Sequence, residues 1–424
     1  MKFSIDVHDT EVSQLLTSLI QITGIEPWSR RFEWLHREFA ENPFMEEWLR
    51  ERCSIEWTFN EVLCSQPLTP QSPFRVENMA QYELVAFAAG VVRIYERLSA
   101  VGKHRLRGML LDGIKEDKGL LSIQHEVSTA VHLMCRGFDV EFHDLEQGGG
   151  FDFVARKDSV EIEIECKMFS ADLGRKIHRR RMAVLFRELA STLAQIYRSA
   201  STGLIVRIII PDRLTPSPEQ HQEIDQALRF GILGGKAVTR TESIEVQVSN
   251  FSIESSSFSK SPQQLSQREI QDFVSGYTGR SNSNLMIQFS PGQRAVVLSL
   301  ESRKSDEVLN GMHRQLREAA KGQFTKTRPA ILAVQLHDLT VEQFADLAQS
   351  DSPWRGNATG LQLMTSDFLQ SPSRAHIHSV AYRSHGLLTD NQAEGQKRVE
   401  GLSYQIGNGY HPLYKDPKYS VFGI

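Results

Sequence analysis

Apolar residues recur every three to four positions in the first part of the chain. Phe32, Leu35 and Phe39 share one helical stripe, and the run from Met79 to Leu98 repeats the pattern. Between them SQPLTPQSPF, from Ser65 to Phe74, is a Pro-rich break. Near Asp117 the pattern changes. Ile123, Val127, Ala130, Val131 and Met134 form a stripe that predicts a helix between Gly119 and Arg136, with Gly137 placed to end it. FDVEFHD, beginning at Phe138, predicts a strand, and Gly148-Gly149-Gly150 a turn. Alternation of period two predicts strands in FDFVAR (Phe151 to Arg156) and SVEIEIECKMF (Ser159 to Phe169). The nearly all-apolar GLIVRIIIP (Gly203 to Pro211) reads as the buried centre of the same sheet. Ser249 to Gln267 is Ser-rich, as in a linker. LMIQF, AVVLSL and AILAVQL then predict strands, and Asp306 to Lys321 a helix. The division expected is a helical part over 1–115, an α/β domain over 116–236 and a further α/β part over 237–424.

Composition changes this picture little. Of 424 residues, 40% are hydrophobic and 24% charged, which excludes a mostly disordered chain. No apolar run approaches the roughly 18 residues of a membrane span, and the first residues lack the apolar block of a signal peptide. Four cysteines without a CxxC pair argue against a disulfide scaffold or a Cys-rich zinc site. An intracellular, cytoplasmic protein without membrane contact is expected. A net charge of −4 does not advertise polyanion binding, so a nucleic-acid partner has to be argued from local charge.

The chemistry lies on the two middle strands. Val160, Ile162, Ile164, Cys166 and Met168 share one face of the second; Glu161, Glu163, Glu165 and Lys167 share the other. A two-residue turn at Lys157-Asp158 would pair Asp152 with Glu163 and set Glu165 on the diagonal. Unit charges about 5 Å apart repel by about 3 kcal/mol at an effective dielectric near 20. Solvation, a retained proton or a divalent cation relieves such a cluster, and hard oxygen donors favour Mg²⁺ or Mn²⁺. Lys167 could orient an attacking water on the same face. Glu126 borders the buried face of the preceding helix, and the segment after the strands is basic, with Arg175, Lys176, Arg179, Arg180 and Arg181 suited to a phosphodiester backbone. Taken alone, the strands equally describe a solvated hairpin face, and the basic segment an exposed cationic helix.

The order is helix with Glu126, strand, strand with Asp152, strand with Glu165-Cys166-Lys167, helix, strand. It resembles the PD-(D/E)XK nuclease superfamily over Gly119 to Pro211, less than a quarter of the chain. The resemblance implies a restriction-endonuclease-like mixed sheet flanked by helices, within an α/β protein that adds a helical N-terminal part and a C-terminal α/β part. It places metal binding on Asp152 and Glu165, water positioning on Lys167, and a further metal contact on Glu126; Glu163 is a further candidate ligand. Phe151 stands where the family signature has Pro. The activity implied is Mg²⁺- or Mn²⁺-dependent phosphodiester hydrolysis, with DNA favoured over RNA. A role in antiviral defence follows only by association with that class. Two other readings are a catalytically inactive nucleic-acid-binding or assembly protein on the same fold, and a regulatory module that binds a protein partner, or a second copy, through the N-terminal helices.

Other signals are weaker. His125-Glu126 begins an HExxH pattern, but Thr129 replaces the second His, and GILGGKA lacks the first P-loop Gly. His376 and His378 read as ordinary strand residues. AVVLSLESRK followed by a helix bearing Arg314, Arg317 and Lys321 echoes the middle domain, with Glu301 and Arg303 at the (D/E)-X-K positions. A degenerate repeat that binds nucleic acid is one expectation; a plain α/β unit with a positive helix is the other.

Overall fold

The computed structural model describes residues 7–65, 68, 74–115, 119–170, 172–254, 256–260, 267–279, 284–336, 344–345, 349, 358–391 and 396–419. Most of the Pro-rich break, part of the Ser-rich stretch and the predicted boundary at 116–118 lie outside them. The chain opens on helices α1 (Asp9–Thr23), α2 (Ile25–Glu41), α3 (Glu46–Arg52), α4 (Ser54–Ser65), α5 (Met79–Arg97) and α6 (Ala100–Lys115). Asn78 caps α5, its side chain accepting from the Gln81 N–H. Helix α7 (Leu121–Cys135), strand β1 (Asp139–Glu141), the short α8 (His143–Glu146), β2 (Phe153–Lys157) and β3 (Val160–Phe169) follow.

Next come α9 (Arg179–Glu188), α10 (Ala190–Ser199), β4 (Gly203–Ile210), α11 (Pro218–Leu228), β5 (Val238–Arg240), β6 (Glu245–Phe251), α12 (Gln267–Thr278), β7 (Asn284–Ser290) and β8 (Arg294–Ser302). The chain continues through α13 (Val308–Gly322), β9 (Ala330–Leu336), α14 (Gly360–Gln370), β10 (Ile377–Asn391) and β11 (Gln396–Gly407). This is a mixed α/β protein with a helical N-terminal region and two mixed sheets. No helix of the described residues is long and apolar enough to cross a membrane.

Contacts divide the chain into two compact units that do not follow the predicted boundaries. One joins Met1–Arg37, Leu49–Leu173 and Val308–Ile424; the other joins Glu38–Trp48 and Gly174–Glu307. In the first, the sheet order is β1-β2-β3-β9-β10-β11. Strands β1, β2 and β3 form an antiparallel meander, and β9 lies parallel to β3. One face packs under α7 through Ile162, Ile164, Cys166 and Ile331, and the same core takes in Leu84 and Val91 of α5 and Leu106 of α6. The N-terminal helices therefore share a hydrophobic core with the sheet. Contact between α5 and α7 is close at Gly90, where a Cβ would lie 2.5 Å from Val127. The other face, with Val154, Leu332 and Val334, packs against Met312 and Leu316 of α13 and Phe368 of α14.

The second unit has the sheet order β5-β6-β4-β8-β7. GLIVRIIIP is a buried central strand, as its composition requires, but of this sheet: β4 pairs with β6 and β8 and does not extend β3. Its apolar side chains pack with Leu193, Ile196 and Ile224. The ends of the inserted segment meet, since the Glu307 N–H donates to the Gly174 carbonyl at 2.8 Å. This arrangement removes the expectation of an internal repeat. AVVLSLES belongs to β8 in the second unit, while the helix and strand that follow it, α13 and β9, belong to the first. Glu301 is bound by Arg207 rather than placed in a second acid site.

Candidate active site

Register decides which acids meet. Lys157 pairs with Val160 and Phe153 with Ile164, so the turn residues are Asp158 and Ser159, with Asp158 at φ +54°. Continued one residue back, this register sets Asp152 opposite Glu165. The predicted pairing with Glu163 is off by two residues, which preserves the face because side chains alternate with period two. The ladder is capped by the side chain itself: the Cys166 N–H donates to Asp152 Oδ2 at 2.6 Å, and the Asp152 N–H to the Ile164 carbonyl at 3.1 Å.

Glu165 is buried, 3% exposed, and Lys167 Nζ pairs with its Oε1 at 2.5 Å. Glu165 Oε2 is buried with no hydrogen-bond partner. Glu126 lies on α7 and lines, with Asp152 and Asp144, a small cavity whose apolar wall includes Ile94 of α5 and Met109 of α6. Burial pushes the Glu126 carboxyl up to about 8, with Glu165 and Asp144 adding to the shift. Burial likewise raises Asp152 to about 8, reinforced by Glu126, and Glu165 to about 8, reinforced by Asp152. Burial opposes the charge on Lys167, yet Glu165, Asp152 and Glu126 together raise its pKa. Glu126, Asp152, Glu165 and Lys167 thus form one electrostatically coupled group.

Glu163 does not belong to it. Fully buried, it accepts from the Thr325 N–H at 2.9 Å and from the Thr325 hydroxyl, and Arg328 lies 3.5 Å away. Its role is to tie β3 to the turn before β9. Glu163→Ala should destabilise the fold by about 1–3 kcal/mol by removing the buried carboxylate that Thr325 and Arg328 bind, measured by urea unfolding; a loss below a few tenths would contradict this role.

The basic candidates divide between the units. Arg175, Lys176, Arg179, Arg180 and Arg181 lie in the second unit, whereas the carboxylates lie in the first. Lys176 is buried near Asp212 and Glu307, Arg181 donates to the Leu214 carbonyl, and Arg180 stacks on Trp48. The predicted phosphate contact through Lys176 is therefore corrected: its ammonium serves the packing of its own unit. Arg314, Arg317 and Lys321 are exposed along α13, in the unit that holds the acids. Of the histidines set aside, His378 is buried, and desolvation lowers its pKa to about 4, as for a neutral core residue.

Asp144 was missed. The pattern of FDVEFHD predicts it at the end of a strand, but β1 stops at Glu141 and Asp144 sits in α8. Gly148, Gly149 and Gly150 all have positive φ, a run that residues with a Cβ rarely adopt, and the Gly149 N–H turns back to donate to Asp144 Oδ1 at 2.9 Å. An Asp shortly before three glycines was the available signal.

No family model matches the chain, and no curated protein or solved structure matches it.

As the side chains stand, no three His, Cys, Asp or Glu residues among the described ones are gathered closely enough to hold a metal ion. Lys167 takes one Glu165 oxygen and the Cys166 N–H one Asp152 oxygen. In donor chemistry the group suits a hard divalent cation: its donors are carboxylate oxygens, one of them buried without a partner, and each added negative charge is opposed by the others.

Proposed function

We propose that this chain is a Mg²⁺- or Mn²⁺-dependent nuclease of the restriction-endonuclease-like class, hydrolysing nucleic-acid phosphodiester bonds, with DNA the favoured substrate. The observation that carries the reading is the Asp152–Glu165 opposition, with Lys167 and Glu126 coupled to it. The order of elements supports it as well. Helix α7, the meander β1–β3, helix α13 and strand β9 parallel to β3 follow in the order helix, three strands, helix, strand, although α13 and β9 take the places for which Gly174–Arg187 and GLIVRIIIP were expected, and Gly174–Glu307 is inserted after β3.

Asp152, Glu165 and Glu126 would hold the cation. Bound there, it would polarise a phosphoryl oxygen and acidify a water. Lys167 donates hydrogen bonds from its ammonium, and its partner Glu165 fixes that ammonium beside the acids, where it can orient the attacking water and oppose charge developing on phosphate. Asp152 is oriented by the Cys166 N–H, so its carboxylate needs little reorganisation. The exposed cations of α13 provide a sequence-independent attraction for a phosphate backbone that weakens with salt.

The test incubates the full chain with supercoiled plasmid, single-stranded DNA and RNA, in Mg²⁺ or in EDTA. Cleavage in Mg²⁺ alone, strongest on DNA, is the expected result. Cleavage that persists in EDTA, or no cleavage of any substrate in Mg²⁺ or Mn²⁺, would contradict the reading.

A further inference from the structure

The turn after α13 holds a strained residue. Lys326 stands at φ +66°, in the left-handed region where a Cβ crowds the following carbonyl oxygen and glycine meets no such cost. Its neighbours fix it there. The Thr325 N–H donates to Glu163 at 2.9 Å, and the Thr327 N–H donates to the Thr325 hydroxyl at 3.3 Å. The Lys326 side chain is exposed and makes no ion pair among the described residues. Packing therefore gives no reason for a lysine at a position that suits glycine better.

Its surroundings are cationic. Arg314, Arg317 and Lys321 lie at i, i+3 and i+7 along α13, so they share one face; all are exposed, and none forms an ion pair among the described residues. Glu318 stands four residues after Arg314 and three before Lys321, yet bridges neither. Arg374, just after α14, lies with its guanidinium 4.3 Å from the Phe368 ring centroid and donates to the Phe368 carbonyl. The charge on Arg317 acts against that guanidinium, and Asp367 acts in its favour. Asp367 is itself 81% exposed, 3.8 Å from His313. Like charges gathered at a surface, one on a strained backbone and one seated on a ring, are complementary to a polyanion.

The patch adjoins the strands that carry the acids. Thr325 binds Glu163, two residues before Glu165 in β3, and a Cβ on Gly150, two residues before Asp152, would lie 3.7 Å from the Gln323 carbonyl. We infer that Arg314, Arg317, Lys321, Lys326 and Arg374 form a seat for the phosphate backbone of double-stranded nucleic acid. The inference deepens the nuclease reading, on which its catalytic purpose rests, by naming the form of the substrate. Single strands are held by stacking their bases on exposed aromatic rings. The aromatic side chains of this patch, Phe324 and Phe368, are buried, so the surface offers contacts to phosphate and none to unpaired bases. Such a seat fixes a duplex by its backbone and is indifferent to sequence.

Fluorescence anisotropy of a short labelled DNA duplex, titrated with the full chain in EDTA, tests this without reference to cleavage. Arg317→Gln and Lys326→Gly should each weaken duplex binding about 3-fold or more at low salt. Each should also reduce the slope of log affinity against log salt by about 1. Glycine suits the φ of residue 326, so Lys326→Gly should fold as wild type does by circular dichroism, which separates lost binding from misfolding. Arg30→Gln, at an exposed cation of α2, should bind as wild type does. One strand of the duplex alone should bind more weakly than the duplex. Wild-type affinity in either Arg317→Gln or Lys326→Gly, an equal loss in Arg30→Gln, or tighter binding of the single strand would overturn the inference and leave the nuclease reading standing. Duplex binding that follows these changes, from a chain that cleaves nothing in Mg²⁺ or Mn²⁺, would remove the nuclease reading and keep the seat.

Discussion

Asp152→Asn, Glu165→Gln and Lys167→Ala should each fold and each lose Mg²⁺-dependent cleavage by about 10³-fold or more, the scale expected when a preorganised charge at a reacting phosphate is removed. The three losses should not multiply. Asp152 and Glu165 oppose each other across adjacent strands, and Lys167 is paired to Glu165, so they act as one unit. A double Asp152→Asn/Lys167→Ala variant should therefore be little worse than the poorer single variant. Single-turnover cleavage of a labelled duplex, with circular dichroism to verify folding, reads the effect. Either Asp152→Asn or Lys167→Ala retaining a tenth of wild-type activity would contradict the assigned roles. Glu163→Gln serves as a contrast: its carboxylate is engaged by Thr325 and Arg328, so its cleavage rate should follow its stability and nothing more.

The second large effect is on stability against pH. Glu126, Asp152 and Glu165 each have a folded-state pKa near 8, above the ordinary carboxylate range of an unfolded chain. The folded state thus binds these protons more tightly than the unfolded state does. Their contribution is fully present below the unfolded pKa near 4, and it is lost as pH rises through about 8. Between pH 6 and pH 9 each group crosses roughly two units of that range, on the order of 3 kcal/mol if it acted alone. The three shifts share the same repulsions, so the loss for the cluster is several kcal/mol rather than the sum. Thermal unfolding should occur about 5 °C lower at pH 9 than at pH 6. Mg²⁺ or Mn²⁺ at pH 9 should restore much of that difference by linkage. Asp152→Asn and Glu126→Gln should flatten the dependence and unfold at higher temperature than wild type at pH 9. A wild-type midpoint equal at the two pH values, or lowered at pH 9 by these substitutions, would contradict this electrostatic account.

These two effects separate what the chain exposes in its pattern from what it hides. Alternation along VEIEIECKMF fixed the shared face of Glu163, Glu165 and Lys167, because period two is a local property. Which Glu opposes Asp152 depended on one turn. Lys157-Asp158 and Asp158-Ser159 are equally plausible as turn residues, and the positive φ of Asp158 favours the second. The functional difference between Glu163 and Glu165 was illegible, since it comes from Thr325 and Arg328, far along the chain. The same non-locality concealed the strand beside β3. GLIVRIIIP and AILAVQL are both short apolar runs, and composition cannot tell which of them pairs with β3. The insertion ending where Glu307 meets Gly174 sends the nearer one to another sheet. Helix α8 was masked by an aromatic, acidic string that also suits a strand, and with it the position of Asp144.

A crystal of the full chain soaked in Mn²⁺ and measured for anomalous scattering bears most directly on the central claim. The account predicts a peak between the Asp152 and Glu165 carboxylates, with oxygen ligands about 2.1 Å away, the spacing of a small hard divalent ion. Mn²⁺ bound elsewhere on the protein, with Lys167 still seated on Glu165 and no peak beside Asp152, would contradict it.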